Sequence, residues 1–313
     1  MSDQDGQWER GVIERLAGAA LKEQRSARRW SNFWKLLFFL YLTAMIVLAV
    51  DWKGAEGRGG PHTALVELNG VIAADSAGSA DNISDALEAA FKDKDTRGVV
   101  LRINSPGGSP VQAQNLFDEI LRLRKKHPST PLYVVVQDIC ASGGYYVAAA
   151  ADRIYVSKAS IVGSIGVRLD SFGLVGLMDK LGIERRLFTA GSNKGMLDPF
   201  LPLQEKQKEI AQGMLDDIHR QFIAAVREGR GRRLKETPDM FSGVIWTGAK
   251  SVELGLADGF GTLDSVARDV IKADNVVDYT VKENVAERLA RRFGAGATSA
   301  LLAFTAHFAP SLR

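Results

Sequence analysis

The chain has 313 residues, 46% hydrophobic and 25% charged, an ordinary globular composition with room for one full core and a small appendage. Its 40 basic and 37 acidic side chains leave a formal charge of +3, so no sustained basic face points to nucleic acid as a partner. The single cysteine, Cys140, excludes an internal disulfide and any cysteine-rich metal site.

Residues 1–34 read as a cytoplasmic N-terminal segment, in which Trp8, Val12, Ile13, Leu16, Ala20 and Leu21 fall at helical intervals. A membrane anchor is expected over 35–52, because LLFFLYLTAMIVLAV at 36–50 carries no charge between Lys35 and Asp51. Fifteen helical residues rise about 22 Å, short of the roughly 30 Å hydrocarbon layer, and Phe33, Trp34 and Trp52 would carry the segment into the interfaces. A signal-peptide core or a buried helix is the alternative, but no small-x-small cleavage site follows. Lys22, Arg25, Arg28, Arg29 and Lys35 crowd the N-terminal flank. The expected topology is therefore a single pass with the N-terminus cytoplasmic and the rest periplasmic or otherwise extracytoplasmic, as in a bacterial inner membrane.

GAEGRGGP at 54–61 has the glycine density of a tether, so 53–62 is read as a linker and the main domain starts near His62. The pattern then alternates: a strand in TALVELNGVIAA, a helix over ISDALEAAFK, a strand in GVVLRIN, the turn SPGGSP, a helix through AQNLFDEILRLRKK, and a strand in PLYVVVQ. Such alternation predicts an α/β fold with a largely parallel sheet. ADRIYVSKASIVGSIGV reads as further short strands, and Met214, Ile218, Phe222 and Val226 mark a long helix begun near Pro202. Residues 273–313 read as a helical tail, with the charged pattern VKENVAERLARRF from 281.

The stretch DICASGGYY at 138–146 places a serine where a parallel strand ends, the position at which reactive groups gather in such sheets. Gly143 and Gly144 permit a tight strand-to-helix turn, and the small-residue helix that follows would aim unpaired N–H groups at Ser142. That suits a nucleophile beside an oxyanion site; equally, Ser142 could merely cap the helix. NSPGGSP at 104–110 forms a second turn of the same kind, so the amides of Gly108 and Gly143 are the candidate oxyanion donors. Cys140, inside the strand, reads as a buried structural thiol.

A serine needs a base. His62 falls in the linker, His127 in a basic turn, His219 on the long charged helix and His307 in the tail, so no Ser-His-Asp triad is expected unless folding brings His219 near. Lys194, in LFTAGSNKGMLDPFLP, is the candidate lysine base, since few charges crowd it. Its alternative is an ordinary exposed loop lysine.

NSPGGS, DICASGGYY, VGSIGV at 162–167, TAGSNKGMLDPF at 189–200 and WTGAKSVELGLADGFG at 246–261 together make the chain resemble the signal peptide peptidase A family. These are membrane-anchored serine peptidases of the Clp protease/crotonase fold, and the likeness covers about residues 63–272. The resemblance implies Ser142 as nucleophile, Lys194 as general base, Gly108 and Gly143 as oxyanion amides, and Ser164 as the residue that holds the lysine amine. It also implies a ring-like homo-oligomer. One departure stands out: the family commonly has an acidic residue directly after the lysine and a serine-proline-x-arginine sequence beyond it, whereas here Gly195 follows Lys194 and Asp198-Pro199 leads into Phe200 and Leu201.

The expectation is a serine peptidase domain over 63–272, cleaving hydrophobic peptides such as released signal peptides near the membrane, with no metal, nucleotide or other cofactor called for. A crotonase-like acyl-CoA enzyme on the same fold and a catalytically silent membrane scaffold are the alternatives.

Overall fold

The computed structural model of the chain describes residues 28–44 and 60–281. It divides into two units, Met1–Ala55 and Glu56–Arg313. In the first, residues 28–44 form helix α1 with its described side chains exposed; Trp30, Phe33 and Trp34 stack edge to face along it. Among the described residues no helix is long and apolar enough to cross a membrane. The expected span over 35–52 runs past residue 44, so its second half lies outside the described residues. So do the pattern at 8–23, most of the linker and the tail from 282.

In the second unit three strands carry the sheet. β1 (His62–Ile72), β2 (Thr96–Gly108) and β3 (Leu132–Ala141) run parallel, and their apolar runs are buried almost without a break over their first halves, as in strands covered on both faces. Helices α2 (Ala80–Lys92) and α3 (Pro110–Lys126) cover one face. Each opens on a serine cap: the Ser79 hydroxyl accepts from Asn82 N and the Ser109 hydroxyl from Gln112 N, with Pro110 at the first helical position of α3. Ala113, Leu116, Phe117, Ile120 and Leu123 of α3 recur every three or four residues and pack with Leu68, Leu101, Ile103 and Val134 into the larger core. On the opposite face a smaller cluster of Leu65, Val100, Val135 and Tyr155 is closed by Val266, from the helical stretch Leu263–Ser265 that runs on into Val266–Ile271.

The sheet splits at β3. The first half of β3 pairs with β4 (Arg153–Val156), which pairs with β7 (Gly259–Phe260). Its last residues, Ile139–Ala141, pair instead with β5 (Ile161–Gly163), and β5 pairs antiparallel with β6 (Ile245–Thr247). Register shifts in the β1–β2 and β2–β3 ladders fall at the same level, so the strands bend there. The ends of β2, β3 and β5 thereby come side by side in a layer of their own. This mixed α/β architecture with a mostly parallel sheet fits a Clp protease/crotonase-like fold.

Beyond the strands, α4 (Gly143–Ala149), α5 (Val175–Leu181), α6 (Glu205–Arg230) and α7 (Gly248–Glu253) follow in order. Phe222, Ala225 and Val226 bring α6 onto the larger core. Two details depart from the sequence reading. His62 opens β1 and is buried, its Nε2 within hydrogen-bond distance of Tyr279 Oη and Thr96 Oγ1, because the first strand begins earlier than the glycine-rich composition suggests. Residues past 272 add a further strand, β8 (Val276–Asp278), on the free edge of β1.

Candidate active site

Ser142 joins β3 to α4 with φ 52° and ψ −124°, a backbone conformation that an L-residue adopts at a cost of about 1–3 kcal/mol. Its surroundings hold it there. Ser142 N donates to Gly163 O at 2.8 Å, and Ser142 O accepts from Tyr145 N at 2.9 Å and Tyr146 N at 3.0 Å. Ser142 occupies the N-cap position of α4, but its side chain makes no capping hydrogen bond.

The helix behind this turn is fixed on every side. All residues of α4 are buried; Tyr145 Oη donates to Leu256 O at 2.8 Å, and the Tyr146 ring stacks on Phe222 at 4.8 Å. The end of α6 lies directly on the end of α4, so close that a Cβ on Gly229 would fall 2.0 Å from Ala149 O. Arg230, 1% exposed, donates from Nε to Gly255 O at 2.9 Å and from Nη1 to Asp258 Oδ2 at 2.8 Å. Burial alone would raise the Asp258 carboxyl, but the hydrogen bond and charge of Arg230, with Ile154 N and Arg233, hold it below its ordinary value.

The PGG turn meets the serine turn backbone to backbone. A Cβ on Gly107, whose φ is +101°, would fall 2.6 Å from Gly143 N and 2.8 Å from Ser142 Cβ; a Cβ on Gly108 would fall 2.1 Å from Ile72 O. Only glycine admits this approach. A Cβ on Gly143 would in turn lie 3.2 Å from Gly108 N, so the two candidate oxyanion amides sit on facing turns. Ser105, buried beneath them, accepts from Gly107 N at 3.1 Å and sets the turn, a role that the NSPGGS motif does not by itself announce.

Ser164 follows β5 directly, one residue past Gly163, and also takes a positive φ of 51°. Its N–H donates to Val244 O at 2.8 Å. The indole of Trp246, across the ladder from Val162, covers Gly163, where a Cβ would meet its Cδ1 at 2.9 Å. Two serines in strained backbone thus end adjacent strands, and such outliers concentrate at functional sites.

The fold therefore brings Ser142, Gly143, Gly108 and Ser164 together. Lys194 is exposed on a turn in which Lys194 N donates to Gly191 O and Met196 N to Asn193 O. The departure at Gly195 and Asp198 has a physical counterpart here. A Cβ on Gly195 would press on Leu187 Cδ2 at 2.7 Å, and Asp198 braces the loop by accepting from Phe200 N at 2.9 Å and Arg185 Nη2 at 3.0 Å. The Phe200 N–H and the Arg185 guanidinium hold its carboxyl below the ordinary range against some desolvation. Cys140 is fully buried and burial pushes its thiol well up, so it supplies no thiolate nucleophile. Among the described residues no cluster of side chains is suited to hold a metal ion.

Residues 124–277 match peptidase family S49. A Methanocaldococcus jannaschii protein whose name makes it a candidate protease is 37% identical over 65% of each chain. A candidate signal peptide peptidase SppA of Enterococcus faecium is 28% identical over 73% of this chain and 68% of its own. The Na(+)/H(+) antiporter NhaA of Brucella abortus is 46% identical over 58% of this chain, and the shared segment spans only a quarter of that protein. The chain belongs to peptidase family S49, the signal peptide peptidase A family.

Proposed function

We propose that the chain is a membrane-anchored serine endopeptidase that cleaves hydrophobic peptides, such as released signal peptides, through a Ser142–Lys194 dyad. The observation that carries this reading is Ser142, held in strained backbone without a capping duty and set against the backbone of Gly107 and Gly108. The names of several relatives as proteases support it. In this reading the Lys194 amine takes the hydroxyl proton as Ser142 Oγ attacks the scissile carbonyl. The amides of Gly108 and Gly143 stabilise the oxyanion, and Ser164 orients the amine. Collapse breaks the C–N bond, the lysine ammonium gives its proton to the leaving amine, and an ester remains on Ser142. Water activated by the same amine then hydrolyses that ester.

A lysine works as a base only as the free amine, which burial favours. Lys194 is exposed in the single chain, so the reading assigns its burial to a neighbouring copy in a homo-oligomer. The segment that carries it supports this, since Phe172 is 78% and Phe188 92% exposed and α5 buries no residue; apolar surface of this kind marks an association site. The apolar run that α1 begins supports the single-pass anchor, with the enzyme on the far side of the membrane from the N-terminus.

Labelling with a serine-directed fluorophosphonate, followed by mapping of the adduct in wild type and Lys194→Ala, tests the dyad. An adduct on Ser142 that is lost in the lysine variant is the expected result. Labelling elsewhere, labelling that survives in Lys194→Ala, or turnover of acyl-CoA instead of peptide contradicts it.

A further inference from the structure

Among the described histidines, one bonds the turn that follows β5. His219 lies half-buried on α6, fifty-four residues from the turn after β5, and its Nε2 is 3.2 Å from Ile165 O. A carbonyl oxygen can only accept, so Nε2 carries the proton and donates. The same carbonyl accepts from Gly243 N at 3.1 Å, while Ser164 N donates to Val244 O at 2.8 Å. Ile165 itself is fully buried in the larger core.

Ser164 is held in positive-φ backbone, and such a conformation lasts only while its surroundings over-determine it. The 243–244 strand entry holds one side of the turn. Among the described residues His219 is the side chain that hydrogen-bonds this turn, donating to the same carbonyl as Gly243 N, and it is anchored by a helix whose Phe222 and Val226 are locked in the core. We infer that His219 is a positioning residue of the peptidase reaction: by donating to Ile165 O it keeps Ser164 where it can orient the lysine amine. It touches neither the substrate nor the reacting atoms. This inference rests on the dyad reading above and adds a residue to it.

The test compares His219→Ala and His219→Gln in the full-length chain, with Ser142→Ala alongside, using an apolar peptide substrate. Glutamine places an amide N–H near the position of Nε2 and keeps the donor. For His219→Ala, kcat should fall about ten- to a hundredfold, the size of loss that a misplacement of roughly an ångström causes, with KM and Tm nearly unchanged. His219→Gln should recover most of that loss. An unaltered kcat in His219→Ala overturns the inference. So does an equal loss in both variants accompanied by a lowered Tm, which would make His219 a general packing residue. If Ser142→Ala stays active, the dyad reading itself has failed and this inference fails with it; an inactive Ser142→Ala beside an unaffected His219→Ala overturns this inference alone.

Discussion

Residues 132–166 and residues 167–203 stand next to each other in the chain and could hardly be built more differently. The first stretch makes β3, α4, β4 and β5, buries nearly all of its apolar side chains and presses backbone against backbone at its glycines. The second buries nothing in its one helix and turns Phe172, Leu177, Leu181 and Phe188 outward. The serine half of the proposed chemistry is completed by packing within one chain, whereas the lysine half sits on surface that one chain leaves uncovered. Substitutions in the first region should therefore show up as stability, and those in the second as assembly.

The largest stability effect is expected at Gly108→Ala. A methyl 2.1 Å from Ile72 O forces the glycine turn off the end of β1, at a cost of about 3 kcal/mol or more, readable as a lowered denaturation midpoint together with lost hydrolysis. Asp258→Asn should follow at about 3 kcal/mol at neutral pH, because it leaves the Arg230 guanidinium buried without its counter-charge. The folded-state carboxyl is held low, so its contribution is full above its unfolded value near pH 4 and fades as pH falls through the folded one. The gap between wild type and Asp258→Asn in urea melts should narrow below about pH 4. Ser142→Gly should abolish hydrolysis yet stabilise the fold by about 1 kcal/mol, since glycine relieves the positive φ; a destabilised variant would mean the turn is not strained. At the low end, Phe188→Asp should change the melting of the protomer by less than about 0.5 kcal/mol while sedimentation shows loss of self-association. A large drop in stability there would erase the contrast between the two regions.

Much of the sheet and of its turns was legible in the sequence. The apolar runs of β1 to β3, the serine caps with Pro110, and the two glycine turns each announce themselves through local chemistry, and the structure sets those turns face to face. What was hidden depends on contacts distant in sequence. β6 and β7 are three residues or shorter, too short to show a period, and the antiparallel return of β6 follows from tertiary pairing alone. His62 carried no sign that it would be buried beside Tyr279. His219 looked like one more polar residue on a charged helix, since the partner that gives it meaning is a backbone carbonyl. Lys194 lies exposed in the single chain, and the burial proposed for it in an assembly leaves no pattern in one chain's sequence.

The most direct test of the account is complementation between two inactive variants, Ser142→Ala and Lys194→Ala, unfolded together and reassembled at equal amounts. If each site draws its serine from one copy and its lysine from the next, random assembly returns about a quarter of the wild-type activity, while each variant alone stays inactive. Mixed assemblies that form but show no activity would contradict sites shared between copies and leave the neighbouring copy only the burial of Lys194.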